Sequence, residues 1–160
     1  MLSVKLICVG RMKEKFYAEA FGEYMKRLQP YCKLQLTEAP EQRLSESPSP
    51  KELEKALDRE AEDILAAIPG DSYVAALCIE GRELSSEALA ELVFKAEGSG
   101  RPRMCFIIGG SYGLSPRVKA RADLKLSMSP MTFPHHLARV MLAEQLYRSF
   151  KIIEGSRYHK

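Results

Sequence analysis

Five short apolar runs alternate with five longer stretches of helical periodicity, and no other feature restricts the fold of this chain as much. The runs at 3–9, 33–38, 73–79, 103–108 and 123–127 have the length of strands. The stretches at 15–28, 50–68, 86–97, 116–122 and 134–150 repeat apolar side chains at helical spacing. Five strands, each followed by a helix, predict an α/β fold with a mostly parallel sheet and helices on both faces.

Several helix starts carry their own signals. Ser49-Pro50-Lys51-Glu52 supplies a capping serine, a proline at the first helical position and a glutamate three residues after the cap. Leu53, Leu57, Ala61, Ile64, Leu65 and Ile68 then share one face. Ser115-Pro116 repeats the device before the fourth helix, and 39–49, rich in Pro, Ser and Glu, is a surface loop. With 160 residues the chain has the length of one domain.

Its longest apolar run, 73–79, is far short of the roughly 20 residues a membrane span needs, and Lys5 interrupts the first apolar stretch as no secretory signal would. A cytoplasmic protein without a membrane partner is expected. Cys8, Cys78 and Cys105 sit inside apolar runs and Cys32 stands alone, without the paired spacing of zinc or redox sites, so buried thiols in a reducing compartment are expected.

Net charge is only +3, but it is unevenly placed. Residues 1–100 hold 13 basic and 18 acidic side chains, whereas 101–160 hold 11 basic and three acidic ones together with all three histidines. A basic segment on an acidic body suits an anionic partner, nucleic acid first, or else simply decorates one surface.

Ligands of an open parallel sheet collect beyond the carboxyl ends of its strands. Three stretches meet that condition: 77–82, the glycine loop 107–114 and the run 127–136. The glycine loop fits neither the dinucleotide fingerprint nor the P-loop spacing, and Gly109-Gly110-x-x-Gly113 is either a close-approach ligand loop or a tight turn. The run 127–136 mixes Ser, Pro, Met and Phe, and suits an adenine ring and a sulfur-bearing chain held through backbone groups and apolar contact. Adjacent His135 and His136 point in different directions and lack cysteine partners, so no metal site is expected.

On a helical wheel of the last helix Arg139 falls in the middle of an apolar arc formed by Val140, Leu142, Ala143, Leu146, Tyr147 and Phe150. Glu144, Arg148 and Lys151 lie opposite, interrupted by Leu137 and Met141. A helix apolar on so many sides calls for burial by a second subunit, and a buried arginine either ties that interface or faces a ligand. The terminal Arg157-Tyr158-His159-Lys160 concentrates side chains that contact phosphate, stack on bases and move protons.

The loop 107–114, the run 126–135, the helix segment 139–148 with Glu144-Gln145-x-Tyr147-Arg148, the terminal Tyr158-His159-Lys160 and the opening Val9-Gly10-x-x-Lys13-Glu14-Lys15 together resemble the ribosomal large-subunit pseudouridine N3-methyltransferases of the SPOUT class, the RlmH type. The resemblance spans essentially the whole chain. It implies a single methyltransferase domain over 1–160, with a C-terminal trefoil knot and cofactor loops within about 74–160. It further implies S-adenosylmethionine as cofactor, a homodimer with sites near the subunit boundary, and action on 23S ribosomal RNA in the assembled ribosome. Carried over by position, Leu77, Gly109, Met128, Ser129, Pro130, Met131, Thr132 and Phe133 are the cofactor-binding residues. His159, Tyr158 and Arg148 are the catalytic candidates, and Arg139 and His135 the substrate candidates. Read without the resemblance, the basic third also fits a non-catalytic RNA-binding module of α/β fold, and the loops fit a small-molecule enzyme with a nucleotide cofactor.

Overall fold

Strand and helix bounds follow the punctuation in the sequence. The computed structural model describes residues 1–160 and runs β1 (Leu2–Val9), α1 (Lys15–Leu28), β2 (Cys32–Ala39), α2 (Pro50–Ala67), β3 (Tyr73–Glu83), α3 (Ser86–Glu97), β4 (Arg103–Ile108), α4 (Pro116–Arg121), β5 (Leu124–Ser127) and α5 (His135–Ile153). The Ser49 hydroxyl accepts the Glu52 N–H at 3.1 Å at the start of α2, and Ser85 and Ser115 do the same for α3 and α4.

All four strand pairings are parallel, in the order β2-β1-β4-β3-β5, so every carboxyl end lies on one edge of the sheet. Side chains alternate between faces. Leu2, Val4, Leu6 and Cys8 of β1 face α1, α3 and α5, while Ile7 and Val9 face α2 and α4. Both faces of the central strands β1 and β4 are therefore covered, while the edge strand β2 exposes Lys33, Gln35 and Glu38.

Two elements outrun their expected ends. Strand β3 continues to Glu83 because Leu126 of β5 pairs first with Leu77 and again with Arg82, leaving 78–81 out of the ladder. A Cβ at Gly81 would lie 2.7 Å from the Lys125 carbonyl, so glycine is what lets the two backbones touch there. Helix α5 continues to Ile153 and stops on Gly155 at φ +73°, where the Ser156 N–H bonds to the Lys151 carbonyl and the Gly155 N–H to that of Ile152. This is a glycine-closed helix end of the Schellman type.

The apolar girth of α5 is partly accounted for within the chain. The helix lies between α1 and α3 on one face of the sheet, and none of its residues is fully exposed. Leu137, Val140, Met141, Ile152 and Ile153 nevertheless stay only half-buried, so apolar surface of this helix remains open to a second subunit.

Candidate functional site

Strands β4, β3 and β5 are neighbours, so the loops that follow them stand side by side on the carboxyl edge. Leu77, Gly109 and the run 128–133, far apart in sequence, are gathered there by topology alone. The glycine loop is tightly closed: the Gly113 N–H bonds to the Gly110 carbonyl at 3.0 Å, and Gly113 has φ +80°. A Cβ on Gly109 would lie 2.7 Å from the Gly113 carbonyl carbon and closer still to its oxygen. In the run after β5 the Ser127 hydroxyl donates to the Ser129 carbonyl at 3.1 Å, and the Met131 N–H donates to the Ser129 hydroxyl at 3.0 Å. Met128, Ser129 and Phe133 are half-buried, whereas Pro130, Met131 and Thr132 are exposed. Each of the three loops leaves one large apolar side chain in the open: Ile79 (53% exposed), Tyr112 (49%) and Met131 (72%). Apolar rims around close-packed glycine and serine backbone suit a flat ring and a sulfur-bearing chain held through backbone groups better than a phosphate.

Beside the run lies a cavity of about 410 Å³ between the end of β5, the start of α3 and α5, lined by Leu84, Leu126, Met128, Val140, Met141 and Glu144 among others. Of the eight expected cofactor residues only Met128 reaches it. Its polar wall carries the C-terminal tail. Glu144 Oε1 accepts Arg148 Nε at 3.0 Å, Arg148 NH2 at 2.6 Å and the Tyr158 hydroxyl at 3.2 Å. The Arg148 guanidinium stands 4.9 Å over the Tyr158 ring and reaches His159 Nδ1 at 3.2 Å, while His159 Nε2 meets Glu87 Oε1 of α3 at 2.7 Å. His159, Tyr158 and Arg148 therefore form one connected network, as the sequence leads one to expect, but two carboxylates that it did not single out as functional organise them.

Protonation states follow from the partners. A guanidinium only donates, so His159 Nδ1 accepts and its Nε2–H donates to Glu87. Burial, reinforced by the Glu144 charge, pushes the Tyr158 phenol up to about 12, so its hydroxyl stays protonated and serves as a donor. The hydrogen bond from His159 holds the Glu87 carboxyl below the ordinary range, and the one to Glu144 raises the Arg148 guanidinium further.

His135 and Arg139 belong to a different group of contacts. Arg139 is buried and donates to Glu38 Oε2 at 2.7 Å and to the Gly10 carbonyl at 3.2 Å, leaving its Nε without a partner. His136 Nδ1 meets Glu14 Oε2 at 2.7 Å. The rings of His135 and His136 do not diverge as expected from their adjacency: their centroids are 4.2 Å apart, edge to face. Burial, then the neighbouring His136, lowers the His135 pKa. No cluster of three or more metal-ligating side chains forms here or elsewhere. Along α5, His135 and Arg148 are about 20 Å apart at 1.5 Å per residue. One chain thus brings together the tail and Arg148, and separately His135 and Arg139, without joining the two groups.

Of the missed partners, Glu144 carried a local signal, standing four residues before Arg148 on one helix. Glu14, Glu38 and Glu87 are distant in sequence from the side chains they hold, and only the fold pairs them.

A parallel α/β sheet whose ligand loops come from three adjacent strand ends, with a helix and tail closing one side, defines a class of site rather than one reaction. Residues 2–159 match the family model described as "Predicted SPOUT methyltransferase". The chain belongs to the SPOUT methyltransferase family. It is 45% identical over 159 residues to the ribosomal RNA large subunit methyltransferase H of Carboxydothermus hydrogenoformans, covering 99% of this chain and 100% of that protein. Identity to the protein of the same name from Bacillus pumilus is 44%, with the same coverage. Among solved structures, TrmJ from Z. mobilis ZM4 matches with a TM-score of 0.53 at 17% identity, over 93% of this chain and 70% of that one, a likeness of fold alone.

Proposed function

We propose that the protein transfers a methyl group from S-adenosylmethionine to N3 of a pseudouridine in 23S ribosomal RNA of the assembled ribosome, acting in the cytoplasm as a homodimeric single-domain enzyme. The observation that carries the reading is full-length identity of 44–45% to relatives named ribosomal RNA large subunit methyltransferase H. The convergence of Leu77, Gly109 and 128–133 on one edge supports it. So does the excess of basic over acidic residues in 101–160, which suits an RNA substrate.

When bound, S-adenosylmethionine supplies a methyl group activated by its sulfonium. Leu77, Gly109 and the run from Met128 to Phe133 would hold it, with Ile79, Tyr112 and Met131 as the apolar rim. The fit rests on the glycine at 109, which keeps the loop backbone bare, and on the exposed apolar side chains at the rim, which suit the adenine ring. A trefoil knot in the C-terminal third is proposed on the strength of the SPOUT family match.

For methylation, N3 must lose its imide proton or have the resulting charge on its carbonyl oxygens stabilised. Tyr158, a donor here, positions the base and does not accept the proton. His159 accepts it once Nδ1 is released from Arg148, whose guanidinium is then free to face a carbonyl oxygen or a phosphate. Along α5, His135 lies about 20 Å and Arg139 about 14 Å from Arg148. In the proposed homodimer a second copy would set its tail against the first copy's cofactor loops, and the half-buried Leu137, Val140 and Met141 of α5 offer apolar surface for such a contact.

Labelled S-adenosylmethionine incubated with the protein and free ribosomal RNA, isolated large subunits or whole ribosomes lacking the modification provides the test. Label at a pseudouridine of assembled ribosomes is expected. Label in none of the three substrates overturns the reading.

A further inference from the structure

The opening motif Val9-Gly10-x-x-Lys13-Glu14-Lys15 has no part in the site so far, yet two of its residues are firmly docked. The Gly10 carbonyl, at a residue with φ +83°, accepts Arg139, and the Glu14 carboxylate accepts His136. Arg139 and His136 stand three residues apart on α5, so the two contacts clamp both ends of the β1–α1 loop to one helix face. That face begins two residues after the cofactor run ends at Phe133.

The residues between and just after the clamps point the other way. Arg11, Lys13 and Lys15 are exposed, and Phe16 is 64% exposed with its ring set edge-on against Tyr17, centroids 4.4 Å apart. Lys15 comes no closer than 3.9 Å to Glu19, a pair of exposed side chains worth little, and neither Arg11 nor Lys13 makes an ion pair. The exposed Glu41 has its carboxylate 3.2 Å from where a Gly10 Cβ would stand and forms no ion pair with Arg11, Lys13 or Lys15. Three exposed cations followed directly by an exposed aromatic suit single-stranded RNA: cations for phosphates, a ring face for an unpaired base. A loop clamped before binding also loses less conformational freedom on binding.

We infer that the β1–α1 loop and the first turn of α1 form an RNA-docking surface beside the methyl-donor loops, with Arg11, Lys13 and Lys15 on phosphates and Phe16 stacked on an unpaired base. The inference rests on the reading that the substrate is ribosomal RNA. Its test does not require turnover.

Binding of the purified protein to labelled 23S RNA and to large subunits is measured as a function of salt, for wild type, the triple variant Arg11→Ala/Lys13→Ala/Lys15→Ala, Phe16→Ala and Phe16→Tyr. Three lost contacts at about 0.7 each lower the slope of log affinity against log salt by about 2. Phe16→Ala weakens binding by roughly 5- to 150-fold, the range of one base stack, and Phe16→Tyr restores it. S-adenosylmethionine affinity and the melting temperature stay at wild-type values in all variants. Wild-type slope in the triple variant overturns the surface. Weaker binding to subunits with an unchanged slope on free RNA assigns it to a ribosomal protein and equally overturns the RNA proposal. Wild type that binds RNA through this surface yet methylates no ribosomal substrate overturns only the reaction proposed above.

Discussion

The Arg139 guanidinium meets the Glu38 carboxylate at 2.7 Å below the carboxyl edge of the sheet, with Arg139 1% exposed and the Glu38 side chain 33% exposed. The pair is asymmetric. Without Arg139 the glutamate can turn to water, whereas without Glu38 a buried cation keeps only the Gly10 carbonyl.

Glu38→Ala is therefore expected to cost about 3 kcal/mol, the low end for stranding a buried charge. In a chain of this length that lowers the melting temperature by roughly 6 to 12 °C. The double variant Glu38→Leu/Arg139→Met, which replaces both charges by apolar volume, should recover most of the loss in urea unfolding. A Glu38→Ala protein with the wild-type midpoint would show that the pair contributes nothing.

Gly109 and Gly113 need glycine for different reasons, and alanine separates them. At Gly109 a Cβ runs into the Gly113 carbonyl, so Gly109→Ala must open the loop and is expected to abolish S-adenosylmethionine binding in calorimetry. At Gly113 the space is open but φ is +80°, so Gly113→Ala costs about 1 to 2 kcal/mol of strain and weakens binding only partly. Equal affinities in the two variants would remove Gly109 from the cofactor site.

Element order and most bounds were legible because they rest on local chemistry: the Ser49 and Ser115 caps, the prolines that follow them, and the short apolar runs of the strands. The two extensions were not. The return of β3 to β5 at Arg82 depends on a non-local pairing, and Lys151 disguises the last turn of α5 although Gly155 marks its stop. For the site, residue types at strand ends located the loops, while the carboxylates that aim Arg139, His136 and His159 come from β2, the start of α1 and α3. Periodicity along α5 registers burial and not which chain does the burying: α1 and α3 cover part of the helix, while Leu137, Val140 and Met141 stay half-buried.

Glu60 gives a pH dependence whose sign is fixed by its surroundings. It is buried on α2 and accepts the Gln42 N–H at 3.0 Å; burial raises its carboxyl pKa above the ordinary 4.5, against the lowering effect of that hydrogen bond. The folded chain then holds the proton more tightly than the unfolded one, so ionised Glu60 costs stability above its folded pKa, and the cost vanishes below the unfolded value. Glu60→Gln keeps an acceptor for Gln42 without the charge. It is expected to unfold at higher urea than wild type at pH 7, with the gap closing as pH falls below about 4.5. A gap that widens on acidification would reverse the assignment.

Glu144 accepts both Arg148 and Tyr158 through one carboxylate oxygen, so the order of the tail depends on a side chain that is not itself in the tail. A hydrogen bond to a charged group contributes about 1.5 to 3 kcal/mol. Loss of that much tail positioning corresponds to a roughly 10- to 100-fold fall in kcat, at about 1.4 kcal/mol per factor of ten. Glu144→Ala should show that fall together with loss of hydrogen-exchange protection at 154–160, while S-adenosylmethionine affinity stays near wild type. Arg148→Lys should behave in the same way, since an ammonium cannot place two N–H groups on Glu144 and a third on His159 in one plane. Turnover at the wild-type rate in Glu144→Ala with an unprotected tail would separate tail order from chemistry, leaving His159 and Tyr158 as a structural strap along α5.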